Sequence, residues 1–537
     1  MNTMEVIKNI ELNDQFLRAL RLMEDTGSNV FVTGRAGTGK STLLQYFRDS
    51  TKKKIAVLAP TGVAAVNVKG QTIHSFFKFR LDLTPDTVSR IRVRKKDIYK
   101  KLDAIVIDEI SMVRADLLDC VDMFLRKHGR KKSRPFGGIQ MIFIGDLYQL
   151  PPVVTSREKA LFRDRYKSPY FFSASVFEDD LFSKVSGEKA PFEMEFVELE
   201  KVYRQKDARF LELLNAIRNN SITDNNVREI NKRYDPDFVE TQGDLYIYLT
   251  TTNALAENIN IDKLSLLTGK EHNYQGIIKG NFKTGGLPTS VDLMLKEGSQ
   301  VMLLNNDSLG RWINGSIGKI AEIEEVSDDD DVLRVELPDG EVVEVTPHKW
   351  EMYEFSYDKK TSSILSESVG SFTQYPLRLA WAVTIHKCQG MTFDKTIIDI
   401  GRGTFSHGQL YVALSRCTTM NGLVLKKMVH KKHILLDRRV VGFLTRYQYD
   451  QAQKRLSMED RLLLLNDAIK GKKKLEIVYL TTKDEKSKRT IIPEYVGELE
   501  YQGRKFPGVK AFCTSRKDAR VFHLERILEM KVLSVPL

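Results

Sequence analysis

The sequence predicts an α/β fold built on buried parallel strands, followed by a basic region with its own β-rich module. Three observations carry this. A glycine-rich phosphate-binding loop, Gly34-Arg35-Ala36-Gly37-Thr38-Gly39-Lys40-Ser41, stands between an apolar run at 29–33 and a helical stretch at 42–47. Short apolar runs at 55–59, 104–107 and 141–144 each end at a polar or Gly/Pro-bearing segment, as strands covered on both faces do. The net charge is +12, from 83 Lys and Arg against 71 Asp and Glu. Residues 426–537 alone hold 26 basic and 14 acidic residues, a difference of +12.

Bulk properties set the limits. A chain of 537 residues is too long for one core, so several domains are expected. With 42% hydrophobic and 29% charged residues the composition is that of a soluble globular protein. No apolar run approaches the roughly 20 residues of a membrane span, and the N-terminus shows no secretory signal. The four cysteines, Cys120, Cys388, Cys417 and Cys513, are scattered, which disfavours a zinc or disulfide framework and fits a cytoplasm of bacterial type. The basic tail fits a polyanionic partner, nucleic acid above all, or a solvated lysine-rich surface; charge alone leaves both open.

The elements follow in order. Residues 1–180 alternate strands and helices. A basic stretch at 80–101, crowded with Arg90, Arg92, Arg94, Lys95 and Lys96, reads as a small exposed insertion. Residues 195–240 read as helical, and a new strand begins at 246–249. Residues 280–365 turn β-rich, with the hairpin signal Pro338-Asp339-Gly340, and read as a small barrel inserted into a second α/β domain. That domain resumes at Pro376 and closes with a strand at 422–425. A helical, basic connector reaches about residue 456, and the final ~80 residues suffice for a small domain.

The motifs fall where a parallel sheet places ligand groups, beyond the strand C-termini. The loop glycines turn backbone N–H groups toward phosphate, and the helix N-terminus adds positive potential. Lys40 reaches the β- and γ-phosphates of a nucleoside triphosphate, and the Ser41 hydroxyl suits Mg²⁺. Asp108 and Glu109 end the third strand; there an Asp holds the metal and a Glu polarises the attacking water. Gln149, in Gly145-Asp146-Leu147-Tyr148-Gln149-Leu150, reads as a sensor of the γ-phosphate or its water. Pro60, Thr61 and Gly62 follow the second strand and suit phosphodiester contacts. His74, Phe76 and Phe77 offer faces to stack on bases, or else the two phenylalanines are core. Arg204 and Arg416 read either as cations reaching the γ-phosphate across a cleft or as surface salt-bridge partners.

Taken together these strings resemble the Pif-type (petite integration frequency) branch of superfamily 1B DNA helicases, near the RecD-like enzymes. The matching blocks are Gly34–Thr42, Ala59–Phe77, Val106–Met112, Gly145–Val153, Val202–Gln205, Leu379–Phe393 and Gln409–Cys417. They cover roughly residues 10–428. One departure is Leu147-Tyr148, where the family often has two phenylalanines.

The resemblance implies two RecA-like P-loop domains clamping ATP and Mg²⁺. It assigns adenine reading to Gln15, nucleotide contacts to Gly34, Gly37, Thr38, Gly39, Lys40, Ser41 and Thr42, and the metal to Ser41 and Asp108. Catalytic roles go to Lys40, Glu109, Gln149 and the arginine fingers Arg204 and Arg416. Gly390 falls in the nucleotide–DNA coupling block, and Thr61, His74, Thr384 and His386 in segments lining the single-strand channel. Implied domains are 1–185 (RecA-like 1A, with wedge 1B at about 78–101), 186–250 with 370–428 (2A), 251–369 (2B, a Src-homology-3-like barrel), a connector at 429–456, and 457–537. The implied activity is ATP-driven 5′→3′ translocation of a monomer on single-stranded DNA. Forked duplex and G-quadruplex DNA are implied as further partners, and no membrane.

The last module resembles a WYL domain, a small mostly-β barrel, in its runs at 475–479, 489–493, 509–513 and 520–527; the naming Trp-Tyr-Leu triplet is absent, with Pro507-Gly508-Val509 near its place. That resemblance implies a ligand pocket for nucleotide or nucleic acid at Tyr479, Arg489, Arg520 and Arg526, or a stabilising module with no ligand.

Overall fold

In the computed structural model the described residues are 13–536, apart from 81–82, 93–96, 155–161, 163, 178–191, 206, 242–243, 281, 283–286, 308, 327–329, 359–362, 402, 405, 482–485 and 502–503. Compact units form from Met1–Asn215 with Thr223–Leu435, and from Ala216–Ile222 with Leu436–Leu537.

The first unit opens on a parallel sheet of β1 (Asn29–Gly34), β2 (Ile55–Ala59), β3 (Gln71–Thr72), β4 (Ala104–Ile107), β5 (Gln140–Ile144) and β6 (Met194–Leu199), in the order β3-β2-β4-β5-β1-β6. Alternate residues feed opposite cores. Val30, Val32, Val106, Ile142 and Ile144 meet Leu43, Leu44 and Phe47 of the helix Lys40–Ser50 and Phe16, Ala19 and Met23 of the helix Asp14–Glu24. Phe31 and Phe143 face the other way, against Phe171. Each such buried Val, Ile, Leu, Phe or Met side chain contributes about 1.5–3 kcal/mol.

Two expectations change here. Residues 194–199 are not the start of a second domain but the edge strand β6, paired along its length with β1. Its Glu195 and Glu198 hid it: an edge strand needs apolar residues only on its covered face. Nor is the stretch at 80–101 wholly exposed. Ile98 and Tyr99 of the helix Asp97–Lys101 are buried, with Tyr99 stacked on Phe77. Arg94, Lys95 and Lys96 lie outside the described residues.

The second parallel sheet begins with β7 (Ile247–Thr250). The chain then leaves it for β8 (His272–Gln275), β9 (Ile277–Gly280), β10 (Asp292–Leu295), β11 (Gln300–Leu303), β12 (Ile317–Glu324), β13 (Val332–Glu336), β14 (Val342–Val345), β15 (His348–Asp358), β16 (Ser363–Gln374) and β17 (Leu377–Leu379). These form an antiparallel sheet β14-β13-β12-β11-β17, a ribbon β15-β16-β9 and a pair β10-β8, with Leu303, Trp312, Leu333 and Val343 in one core. The chain returns through β18 (Ala382–Thr384), β19 (Thr396–Asp399) and β20 (Leu423–Leu425), in the order β18-β7-β19-β20. The insertion's limits differ from 251–369. The helix Asn253–Ser265 belongs to the parallel sheet: the Asn260 amide donates to the Ala382 carbonyl and accepts from its N–H, both at 2.8 Å. At the far end β17 still pairs with β11.

The second unit holds the helices Arg438–Arg455 and Met458–Lys470 and one antiparallel sheet. Its strands are β21 (Lys473–Leu480), β22 (Lys486–Tyr501), β23 (Arg504–Cys513), β24 (Asp518–His523) and β25 (Ile527–Pro536), in the order β24-β23-β22-β21-β25. Leu475, Ile477, Ile491 and Phe522 form a core with Leu465 and Ala468 of the second helix. Leu480 and Leu528 meet Ala452 of the first.

Candidate functional site

The phosphate-binding loop leaves β1 at Gly34. A Cβ there would stand 2.6 Å from the Leu199 carbonyl oxygen of β6, so only glycine fits. Gly37 has φ 79°, and a Cβ on it would collide with the Cβ of Arg204. The Tyr203 N–H donates to the Gly37 carbonyl at 2.8 Å. Gly39, at φ 86°, caps the helix Lys40–Ser50 with no side-chain hydrogen bond, so backbone donors at that N-terminus keep the geometry of an anion site. Lys40 Nζ donates to the carbonyls of Gly34 (2.7 Å) and Arg35 (2.9 Å), and Thr38 Oγ1 donates to Arg35 at 2.9 Å. Ser41 is exposed and Thr42 half-buried in the first helical turn.

Asp108 and Glu109 follow β4. Glu109 sits at φ 48°, a left-handed conformation unusual for a side-chain-bearing residue and concentrated at functional sites. Desolvation raises Asp108 to about 6 and Glu109 to about 7. For Glu109 the neighbouring charges of Asp108 and Asp146 push the same way, and Lys40 and Arg416 oppose. Asp146 is fully buried; it accepts from the Tyr148 N–H (3.1 Å) and from Gln149 Nε2 (3.2 Å). Three carboxylates thus converge, an arrangement that a cation relieves. Among the described residues no group of three or more His, Cys, Asp or Glu could hold a metal alone. One Ser and one Asp beside substrate phosphates is the usual setting for Mg²⁺.

The facing wall comes from the second parallel sheet. Arg416 is fully buried. Its Nε donates to Val412 O (2.9 Å), Nη1 to Met391 O (3.0 Å) and Cys388 O (3.4 Å), and Nη2 to Ser415 Oγ (2.9 Å). Arg204 Nη2 donates to Gly390 O at 2.8 Å, while its Nη1 is buried with no partner. Burial and the nearby Arg416 push Arg204 down to about 9. A desolvated guanidinium with an unmet donor fits an anionic ligand. Gln205 Nε2 donates to Ser415 O at 3.0 Å.

Direct hydrogen bonds cross the cleft. Gln389 Nε2 donates to Glu109 Oε2 at 3.0 Å and to Gln149 Oε1 at 3.3 Å. The Ala36 N–H donates to Tyr411 Oη at 3.1 Å. Gly408, at φ 71°, lies so close to the carbonyls of Tyr148 and Gln149 that any Cβ would collide with them. Lys40, Asp108, Glu109, Gln149, Arg204, Gly390 and Arg416 are therefore brought to one place. Sequence reasoning missed Gln389, Asp146 and Tyr411. Gln389 and Tyr411 both had a signal: the first stands beside Gly390, and the second lies in the block 409–417 with Arg416.

Gln15 lies at the start of the helix Asp14–Glu24, with its amide paired to Glu200: Nε2 donates to Oε2 at 3.0 Å, and Oε1 accepts from the Glu200 N–H at 2.9 Å. Pro60, Thr61 and Gly62 lie at the end of β2, where Thr61 Oγ1 accepts from the Ala64 N–H at 3.3 Å. His74 is half-buried on the short helix Ile73–Phe77. Phe76 is not a stacking face. It is 4% exposed, and Phe76 and Phe77 pack with Tyr99 and Phe124 because the aromatic run turns inward. Thr384 ends β18 buried, and burial lowers the pKa of the adjacent-turn His386.

In the second unit the candidate pocket residues divide. The Arg489 guanidinium lies 5.8 Å from the Tyr479 ring and 5.6 Å from Phe522. Arg526 Nη1 is buried without a partner. Arg520 does not join them; it is exposed, 3.9 Å from Asp518. Sequence reasoning missed Arg461, which is 2% exposed and donates to Leu524 O at 3.2 Å, with Nε and Nη2 unpartnered. Its signal was its place between Met458 and Leu465 on the apolar stripe of a helix.

Comparison with known proteins fits this geometry. The PIF1-like helicase family matches residues 13–228, and the WYL domain family matches 460–532. The ATP-dependent DNA helicase Pif1 of Bdellovibrio bacteriovorus is 31% identical over 453 residues, 82% of this chain and 93% of that protein. Some eukaryotic relatives are longer, and this chain spans 62% to 65% of their length. A crystal structure of Bacteroides sp Pif1 in complex with ADP-AlF4 superposes with TM-score 0.72 at 35% identity, over 82% of this chain and 98% of that one. Bacteroides Pif1 bound to ssDNA gives 0.59 at 36% identity over the same shares.

Proposed function

This chain belongs to the PIF1-like helicase family, and we propose that it is an ATP-dependent DNA helicase moving 5′→3′ on single-stranded DNA. The observation that supports this most is the convergence of Glu109, Gln149, Arg204 and Arg416 on one cleft between two parallel sheets. Each sheet keeps a candidate DNA segment, Pro60–Gly62 with His74 on one and Thr384–His386 on the other, at strand C-termini.

On this reading Lys40 exchanges its loop carbonyls for the β- and γ-phosphates of ATP. Ser41 and Asp108 would hold Mg²⁺, which would supply charge neutralisation on the phosphates. Glu109 polarises the attacking water and Gln149 senses it. Arg204, through its unmet Nη1, and Arg416 stabilise charge in the transition state. Gln15 reads adenine, Gly39 and its neighbours bind phosphate oxygens, and Gly390 couples the nucleotide to the DNA segment. Closure and opening of the cleft then step the strand, while the wedge and barrel insertions part a forked duplex. We further propose G-quadruplex unwinding, a monomer in the cytoplasm, and a WYL domain that adds nucleic-acid affinity or regulation. Among the described residues no helix is long and apolar enough to cross a membrane.

The test is ATPase rate with and without single-stranded DNA, beside unwinding of duplexes bearing a 5′ or a 3′ tail. Stimulation by DNA and unwinding of the 5′-tailed substrate alone are expected. Turnover indifferent to DNA would reduce the chain to a nucleotide switch, and preference for the 3′ tail would reverse the polarity.

A further inference from the structure

We infer that the open face of the C-terminal sheet, across β22, β23 and β24, is a stacking platform for single-stranded nucleic acid, separate from the arginine pocket; this rests on the proposed nucleic-acid affinity of that unit. The two faces of the sheet differ. On one, Leu475, Ile477, Val509, Ala511 and Phe522 close a core with the helix Met458–Lys470. The candidate pocket belongs to that side: Arg489 pairs in register with Ile477, and its guanidinium lies over Tyr479 and Phe522. On the other face the helix Arg438–Arg455 meets only the flank of the sheet, with Ala452 against Leu480 of β21 and Leu528 of β25. Over β22 to β24 large side chains stay in water: Tyr495 is 52% exposed, Val521 47% and Phe512 37%.

Strand pairing gathers these residues. Side chains alternate across a strand, so Val509, Ala511 and Cys513 enter the core while Phe506, Gly508, Lys510 and Phe512 take the open face. Tyr495 stands opposite Lys510, and Lys510 opposite Val521; in the next row Gly497 pairs with Gly508, and Gly508 with His523. The paired glycines leave a floor without side chains, and rings reach over it from both ends. A Cβ on Gly497 would stand 2.6 Å from Tyr495 Oη, and one on Gly508 2.8 Å from Phe506 Cε2. Phe506 stacks on His523, with centroids 3.7 Å apart and planes 14° apart. Burial and the nearby Arg526 hold His523 below its ordinary value, so its ring is uncharged at neutral pH.

Rings that merely cover glycines are a known device of sheets, but that role asks for no cation among them. Here Lys510 stands between Tyr495 and Val521, and no outward position paired with these, Ile492, Leu499 and Ala519 included, is Asp or Glu. Exposed rings hold base faces, and an ammonium among them holds phosphate. A duplex hides its base faces within the stack, so a single strand is the form that fits.

The experiment titrates the full-length protein with an oligothymidylate of about eight nucleotides, counts the number bound per chain, and maps the peptides crosslinked by a photoreactive version. Two should bind, one in the motor and one on the sheet, with crosslinks at Tyr495 or Phe506. Tyr495→Leu and Phe506→Leu keep an apolar cover but lose the ring. Each should weaken the second site about 5- to 100-fold, and Tyr495→Trp should restore it, with Tm and DNA-stimulated ATPase unchanged. Lys510→Ala should lower the salt slope of that site by about 0.7. Should Phe506→Leu fail to fold, the exposed Tyr495 still decides the matter. A single oligonucleotide per chain would overturn both the platform and the C-terminal unit's affinity for nucleic acid. Two per chain, with crosslinks at Arg489 or Arg526 and no effect of Tyr495→Leu, would overturn the platform and leave the affinity standing. Self-association lost in Tyr495→Leu, with no second oligonucleotide bound, would make the face a contact between copies of the chain instead.

Discussion

The motor cleft and the C-terminal sheet both bury arginines, but in opposite company. In the cleft Arg416 feels the charges of Glu109 and Asp146, Arg204 lies beside Arg416, and both hold carbonyls of one turn. Among the described residues of the C-terminal unit, Arg461 donates to one carbonyl and keeps two unmet nitrogens, Arg489 lies over aromatic rings, and Glu525 acts on Arg461 as an opposing charge. A buried cation facing movable acceptors can change partners during a cycle. One seated among rings and aliphatic side chains can only keep its place or take up an anion.

The comparison breaks most readily at the cleft. Lys40→Ala should abolish ATPase and unwinding together, measured as steady-state turnover and strand separation. Arg204→Ala should lower kcat by roughly 10²–10³, and Arg204→Lys should not restore it, because an ammonium cannot hold the Gly390 carbonyl and a phosphate oxygen in one planar fork.

A pH test separates activity from stability at the same residue. Glu109 is raised from 4.5 to about 7 in the folded chain, chiefly by desolvation. The folded state therefore binds that proton more tightly than the unfolded one. The stabilisation is fully present below pH 4.5 and is lost as pH rises through about 7. Glu109→Gln should cost at least ~100-fold in kcat yet raise Tm at pH 8 and leave it nearly unchanged at pH 5 in metal-free buffer. Equal Tm effects at the two pH values would show that the carboxylate is not desolvated.

Smaller effects belong to the C-terminal unit. Truncation after Leu435, rather than within the helix that packs Ala452 on Leu480, should keep most motor ATPase. It should also weaken DNA binding and flatten its salt dependence. Arg461→Met, which removes a guanidinium with two unmet nitrogens, should raise the Tm of that unit by a few degrees. A lowered Tm, or loss of stabilisation by added phosphate, would mark Arg461 as an anion ligand.

Legibility in the sequence followed locality. The loop at Gly34–Ser41, the carboxylates Asp108 and Glu109 and the sensor Gln149 each abut an apolar strand, so a few neighbouring residues reveal them. Arg204 and Arg416 acquired a role only through family resemblance, since nothing within ten residues of either points to a phosphate. Strand β6 was hidden by its glutamates, and β17 because an insertion's last strand borders the sheet to which the chain returns. Gln389 and Tyr411 bond to partners far away in the chain, which only folding reveals, whereas Asp146 bonds within its own loop to Tyr148 and Gln149. Phe76 misled because the same aromatic residue serves a base or a core, and burial decides.

The contact between Gly37 and Arg204 sets a limit on recombining such motors. The base of the finger rests on the phosphate loop, and its tip holds the turn at Gly390. A chimera could join the front of one relative to the back of another where the first sheet ends, after Leu199. That junction would pair a foreign finger with the native loop, at a point with no space for even one methyl group. A crossover placed beyond Gln205 would keep loop, edge strand and finger as a single inherited part.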